Sequence, residues 1–301
     1  MQARNTKIVC FGEVLYDVLP KKSIPGGAPM NVARHFERLG MDVTLVSRVG
    51  SDQNGVKLTN FLSKSGLNTT YVQVDPSLPT SEVVVKLDEN NTATYEIKKP
   101  VAWDNIELHD DLVKKVQKSG ILVYGTLAAR SEATRKTLKE LLKYNTLKVI
   151  DINLRPPYDT EDVVLDLLEK ADIAKLNIEE LDQIARWKGF SELPEDERIS
   201  RLHEIYNFEY LIVTYGPDGA KIFNGNNLHS HSGYKVKTAD SVGAGDAFLS
   251  GFMYKMLNEK APLPDALDFA CATGALVASR DGATPDYDLN DIEKIKTKTT
   301  K

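Results

Sequence analysis

"ILVYGTLAARSEATRKTLKELLKYNTLKVIDIN", residues 121–153, decides the architecture. It opens on a short apolar run, "ILVYG", passes through "SEATRKTLKELLKYN", whose apolar residues recur at helical spacing, and closes on a second apolar run, "LKVIDIN". Runs this short and this apolar suit strands covered on both faces. A strand, a helix and a strand in succession predict neighbouring parallel strands under a helical layer.

The same alternation extends in both directions. Upstream, "KIVCFGEVLYDVL" reads as a strand, a glycine break and a second strand. "APMNVARHFERLG" reads as a helix with Val32, Phe36 and Leu39 on one face and Gly40 just past its end. "DVTLVSRVG" is a strand and "GVKLTNFLSKSG" a helix. Downstream, "EDVVLDLLEKA", "DIAKLN", "IEELDQIARWKG", "EDERISRLHEIYN" and "EYLIVTYG" continue the pattern, and "GAKIFN" and "NLHSHSGYKV" predict edge strands. Residues 70–99 break it. "TTYVQVD", "SEVVVKL" and "ATYEIKK" are three strand-like runs, the last two joined by the polar turn "DENN", and they predict an antiparallel insert. The expectation is an α/β protein with a mostly parallel sheet between helix layers.

Composition agrees with one large domain over 1–301. Hydrophobic residues make up 42% and charged residues 27% of the 301, and the net charge of -5 argues against a generally basic nucleic-acid surface. "MQARNTKIVCFGE" has no apolar run of signal-peptide length, and no later segment approaches a membrane span, so a cytoplasmic protein without membrane partners is expected. The two cysteines, Cys10 and Cys271, lie in apolar stretches and are expected to be buried thiols.

Three stretches could carry chemistry. In "DSVGAGDAF", residues 240–248, Gly243, Ala244 and Gly245 precede Asp246 at a helix start. Small residues there let a phosphate approach amides that lack helical partners, where the helix dipole adds positive charge. A carboxylate in that turn would repel an anion, but it suits a base that takes a proton from an attacking hydroxyl. Simple capping by an aspartate is the plainer explanation. In "PGGAPMNVARHFERLG", residues 25–40, Gly26 and Gly27 again allow close contact, and Asn31 can both donate and accept hydrogen bonds. In "GEVLYDVLP", Asp17 interrupts an apolar run and could hold two sugar hydroxyls. An ordinary loop and a solvent-facing strand residue are the plainer explanations of these two.

Taken together these stretches resemble the ribokinase-like (PfkB) carbohydrate kinases. "PGGAPMNVARHFERLGMDVTLVSRVG" is similar to the first signature of that family and "DSVGAGDAFLSGF" to the second. Between them, "KLNIEE" supplies an N-x-x-E from Asn177 to Glu180 and "VTYGPDG" a T-x-G-x-x-G. The resemblance covers nearly the whole chain. It implies a three-layer, doubly wound, mostly parallel sheet with a small β-sheet lid formed by strands at about 13–20 and 70–99, a surface many members use to form homodimers. It implies Asp246 as catalytic base and the amides of Gly243, Ala244 and Gly245 as an anion hole. Asp17, Gly26, Gly27 and Asn31 would line the sugar site. ATP would contact Asn177, Thr214, Gly216 and Gly219, with Gly274 in the helix bordering adenine. Glu180 would organise Mg2+ through water, and backbone around Asp240, Val242 and Gly282 would hold K+.

"DINLRPP", residues 151–157, resembles a segment shared by fructokinases and 2-keto-3-deoxygluconate kinases, and places Arg155 near the site. The expected activity is ATP-dependent phosphorylation of a primary hydroxyl of a ketose, with fructose preferred. An acid sugar would need a cation, for which Arg155, Lys98 or Lys99 could serve, and Tyr95 is a further lid candidate. 2-Keto-3-deoxygluconate kinase and ribokinase are the alternatives, and an inactive sugar or nucleotide sensor is the alternative of another class. A dinucleotide oxidoreductase is disfavoured, because "CFGEVLYD" lacks the glycine fingerprint. His229 and His231 are expected to be exposed on an edge strand, not zinc ligands. Trp103 and Trp187 are expected to pack.

Overall fold

The computed structural model describes residues 5–19, 22–87 and 93–298. Its first strand, β1 (Ile8–Phe11), shows how the sheet is built. All four residues are buried, Val9 and Phe11 in one apolar cluster and Ile8 and Cys10 in another. A strand sandwiched between two helix layers must be apolar on both faces.

The remaining strands are β2 (Leu15–Leu19), β3 (Lys22–Gly26), β4 (Val43–Gly50), β5 (Val72–Asp75), β6 (Ser81–Leu87), β7 (Ala93–Ile97), β8 (Ile121–Gly125), β9 (Leu147–Asp151), β10 (Ile173–Asn177), β11 (Tyr210–Thr214), β12 (Ala220–Phe223) and β13 (Leu228–His231). The helices are α1 (Ala28–Arg38), α2 (Gln53–Lys64), α3 (Asp110–Gln117), α4 (Glu132–Leu141), α5 (Glu161–Leu168), α6 (Ile178–Lys188), α7 (Glu195–Tyr206), α8 (Ala244–Tyr254), α9 (Leu263–Ala278) and α10 (Leu289–Lys298). The main sheet runs β13-β12-β11-β10-β9-β8-β1-β4-β5. It is parallel from β5 to β11, and β12 and β13 add an antiparallel edge. Helices α3 to α7 cover the face carrying Val9 and Phe11. Helices α1, α2, α8 and α9 cover the other, and Ile292 of α10 packs outside α8 and α9 against Tyr254 and Phe269. The α/β expectation therefore holds, as do the edge strands.

The lid differs from the expectation in two places. Residues 72–75 do not belong to it: β5 pairs in parallel with β4 and forms the edge of the main sheet. Its nearness in sequence to two genuine lid strands hid a change of sheet. Conversely, residues 22–26, which read as a loop because of Pro25 and Gly26, form β3. The small sheet is β3-β2-β6-β7, and β2 pairs with β6 in parallel while the other two pairs are antiparallel.

Both connections of the β6–β7 hairpin are tied to the body. At one, Asp52 caps α2 by accepting from Gly55 N at 2.7 Å and also accepts from Thr80 N and Oγ1, each at 2.7 Å. At the other, Arg130 donates to Asp104 from Nε and Nη2 at 2.8 and 2.9 Å, and from Nη2 to Lys98 O at 2.6 Å. Its guanidinium lies 3.9 Å from the Trp103 ring centre and 4.7 Å from that of Tyr158, an arrangement that stacks a cation on two π faces. Trp103 is thus fully buried packing, as expected, and Trp187 packs half-buried on the same core. Replacing Asp52 with alanine removes a helix cap and the Thr80 tie together. It should cost about 1–2 kcal/mol, read by urea unfolding.

Candidate active site

The carboxyl ends of the parallel strands bring chemistry together, as open α/β sheets do. Lys175 of β10 stands opposite Asp151, the last residue of β9. Its Nζ donates to both carboxylate oxygens at 2.8 Å, and both side chains are buried. One strand further, Asn177 stands opposite Thr214. The sequence reading singled out Asn177 and Thr214 but passed over Asp151 and Lys175. The available signal was Asp151 and Lys175 standing among buried apolar residues of two neighbouring strands, since buried charges are found paired.

Helix α8 begins directly beside this ion pair. Gly243 caps it with φ of 79°. A Cβ at this position would lie 2.3 Å from Ala283 O, so glycine is required on both backbone and steric grounds. A Cβ on Gly245 would lie 3.2 Å from Lys175 Nζ, which places the lysine's charge against the first turn of the helix. Ala244 N donates to Ser241 O over a long 3.3 Å. Helix geometry leaves the Gly245 amide without an acceptor, so the expected anion hole has one amide weakly engaged.

Asp246, third in α8, does not cap it. Its Oδ2 instead accepts from Asn31 Nδ2 of α1 at 2.9 Å, and the carboxyl is buried. Burial and the neighbouring Asp151 charge push its pKa up to about 7, against the opposing pull of Asn31, Lys175 and Arg155. A carboxyl poised there is suited to accepting a proton near neutral pH. The structure thus joins two residues that lie far apart in sequence, Asn31 and Asp246.

The expected sugar-binding residues converge on the same place. A Cβ on Gly26 would lie 2.5 Å from Asp17 Oδ2, and one on Gly27, whose φ is 115°, 2.5 Å from Glu13 O. Asp17 is half-buried; burial and Asp240 raise its pKa while Arg155 lowers it. Arg155 is exposed and donates to Leu154 O at 2.8 Å. Its charge acts on Asp17 and Asp246 alike. The other two cations considered are committed elsewhere: Lys98 pairs with Glu82 at 2.6 Å and Lys99 donates to Arg130 O at 3.1 Å. The Tyr95 side chain lies outside the described residues. Gly26→Ala should displace the Asp17 carboxylate and weaken a substrate hydrogen bond, raising KM for the sugar about tenfold with a smaller change in kcat, measured by steady-state kinetics.

The residues expected to face nucleotide and metal are arranged around α6. Glu180 and Asn177 form a reciprocal cap: Asn177 N donates to Glu180 Oε2 and Glu180 N to Asn177 Oδ1, both at 2.8 Å. Leu154 N donates to Glu180 Oε1 at 2.8 Å. With both oxygens already accepting backbone bonds, this buried carboxylate is better placed to orient metal-bound water than to ligate directly. Among the described residues no group of three or more His, Cys, Asp or Glu could hold a metal, and a divalent ion carried in on phosphates needs no such cage.

Gly216 and Gly219 flank the turn after β11, and a Cβ on Gly219 would collide with His231 O. Gly274, expected to border adenine, is buried and faces Ala244 O at 3.1 Å from an added Cβ; it lets α9 approach the start of α8. Residues 239–243 and 278–283 lie together. The amides of Ala239 and Asp240 donate to Ala278 O, Val242 N donates to Asp240 Oδ1 at 3.0 Å, Val242 is exposed, and Gly282 has φ of 80°. His229 and His231 sit on β13 half-buried, not exposed, and His231 contacts Asp268 at 3.3 Å.

Known proteins resemble this chain along nearly its whole length. The profile described as pfkB family carbohydrate kinase matches residues 5–289. The chain is 31% identical over 309 aligned positions to probable fructokinase-6, chloroplastic, of Arabidopsis thaliana, covering 92% of this chain and 79% of that protein. Among solved structures, it resembles fructokinase from Xylella fastidiosa with bound ATP at a TM-score of 0.86 and 23% identity, over 99% of this chain and all of that one. It also resembles a double-mutant fructokinase from Vibrio cholerae O395 in a form binding fructose, ADP and potassium, at a TM-score of 0.82 and 25% identity, over 98% of this chain and 99% of that one.

Proposed function

This chain belongs to the pfkB family of carbohydrate kinases, and from that premise we propose that it transfers the γ-phosphoryl group of ATP to a primary hydroxyl of fructose. One observation carries the reading: Asp246, a buried carboxyl in the first turn of α8, is oriented by Asn31 of α1 beside the Lys175–Asp151 pair, and burial pushes its pKa up to about 7. Asp246 takes the proton of the attacking hydroxyl. The helix start and Lys175 offset charge on the transferred group, and Asp17 holds sugar hydroxyls. Such a site works by alignment and charge stabilisation. Bound Mg2+ would neutralise phosphate charge, and Glu180 with Asn177 would fix its water shell. The backbone around Asp240, Val242 and Gly282 is a fitting place for K+.

Fructose is favoured over an acid sugar because two of the three cations considered, Lys98 and Lys99, are engaged. A sensor would have no use for a base and an anion-binding helix start in one turn. Coupled ATP turnover over a panel of fructose, ribose and 2-keto-3-deoxygluconate tests the proposal. Fructose-dependent ADP release is the expected result, and its absence with every sugar would leave the sensor. The same assay titrated with K+ tests the cation site, and sedimentation tests a homodimer through the lid.

A further inference from the structure

Glu13 follows β1 and is 4% exposed. Burial raises the Glu13 pKa against the opposing pull of its own backbone amide, Arg155, the amide of Ala28 (first residue of α1) and Arg130, and Oε2 is buried without a partner. Glu13 also lines a cavity of about 20 Å³, room for a single water-sized group. Most of the wall is apolar, including Pro29, Val32 and Val123. Its other polar groups are largely satisfied: Asp151 is held by Lys175, and Thr126 Oγ1 donates to Ile152 O at 2.7 Å. Asn153, on the same wall, holds a left-handed φ of 46°, the kind of local strain that gathers at functional sites.

An acceptor buried without a donor is costly, and this one is not alone. Asn31 Oδ1, three residues into the same helix, is also buried without a partner. Two acceptors lacking donors beside the sugar-binding glycines suit a ligand that brings hydroxyl groups. We propose that Glu13 is a further acceptor-contacting residue, its Oε2 receiving a hydrogen bond from one sugar hydroxyl that occupies the cavity. This rests on the carbohydrate-kinase reading above. It makes Glu13 a reader of one hydroxyl, separate from the hydroxyl that is phosphorylated.

The test is a cycle of enzyme and substrate changes. The kcat/KM of wild type, Glu13→Gln and Glu13→Leu is measured on the best acceptor of the sugar panel and on its monodeoxy and monofluoro analogues. In wild type, loss of one non-reacting hydroxyl should cost roughly 10- to 100-fold, the range for a hydrogen bond to a charged group. In Glu13→Leu the same analogue should be penalised less than about threefold relative to the parent sugar. An equal penalty in wild type and variant would overturn the proposal and leave Glu13 as a brace for α1. Because the parent sugar is whichever one turns over, failure of fructose itself does not decide the matter. If both variants fail to fold, a wild-type crystal structure with the sugar decides. A hydroxyl within about 3 Å of Oε2 supports the proposal, and a water or no group in the cavity overturns it.

Discussion

Asp246→Asn should retain the fold and lose about 10²- to 10⁴-fold in kcat, the usual contribution of a positioned general base. Asparagine keeps an oxygen to accept from Asn31 Nδ2, so the geometry survives while the proton acceptor is gone. Intact ADP and sugar binding by calorimetry, alongside lost turnover, would separate this outcome from misfolding. The wild-type pH profile should agree. Its kcat/KM should fall as pH drops through about 7, where Asp246 gains its proton, and the variant's residual rate should lack that limb. Stability should move the other way. The folded state holds the Asp246 proton more tightly than the unfolded chain does, so this group's contribution is present at low pH and lost as pH rises from the ordinary carboxylate range through 7. Above pH 7 the asparagine variant should therefore be the more stable protein, by on the order of a few kcal/mol. A variant that kept near-normal kcat would show that the base has been misassigned.

Lys175→Met should be the most damaging change to stability. It leaves Asp151 buried without its cation, and breaking one partner of a buried pair costs about 3–5 kcal/mol. Replacing both members, as in Lys175→Met with Asp151→Leu, should recover most of that loss, because the cost lies in the orphaned charge. Denaturant unfolding of the two single variants and the double variant reads this directly. The charges also bear on the base in opposite senses. Lys175 lowers and Asp151 raises the Asp246 pKa, so Asp151→Asn should shift the acid limb of the rate profile to lower pH, and Lys175→Met should shift it to higher pH. Equal stability of Lys175→Met and wild type would show that the pair contributes nothing.

Much of this was legible in the sequence, for physical reasons that differ by element. Strands buried on both faces announce themselves as short apolar runs, which is why "ILVYG" and "YLIVT" were placed correctly. The glycine-rich helix starts were readable because backbone contact leaves few residue types as options. The edge strand at 72–75 was misassigned because pairing partner and sheet membership are set by long-range packing, and four residues carry too little pattern to reveal them. Lys22–Gly26 was missed because proline and glycine, typical of turns, are tolerated at a sheet edge. Asp151 and Lys175 became a pair only when strand register put them side by side. Glu13 gave no signal at all beyond its letter.

The two fastenings of the β6–β7 hairpin, Asp52 on Thr80 and Arg130 on Lys98, limit how the small sheet can travel. With both feet held, sliding of that hairpin is suppressed, and rocking about the line joining the feet is the softest displacement left to it. Such rocking sweeps widest where Leu87 pairs with Ala93 and least at Thr80 and Lys98. If the small sheet moves over the site, it should do so as a flap on a fixed axle, with its outer rim covering the distance.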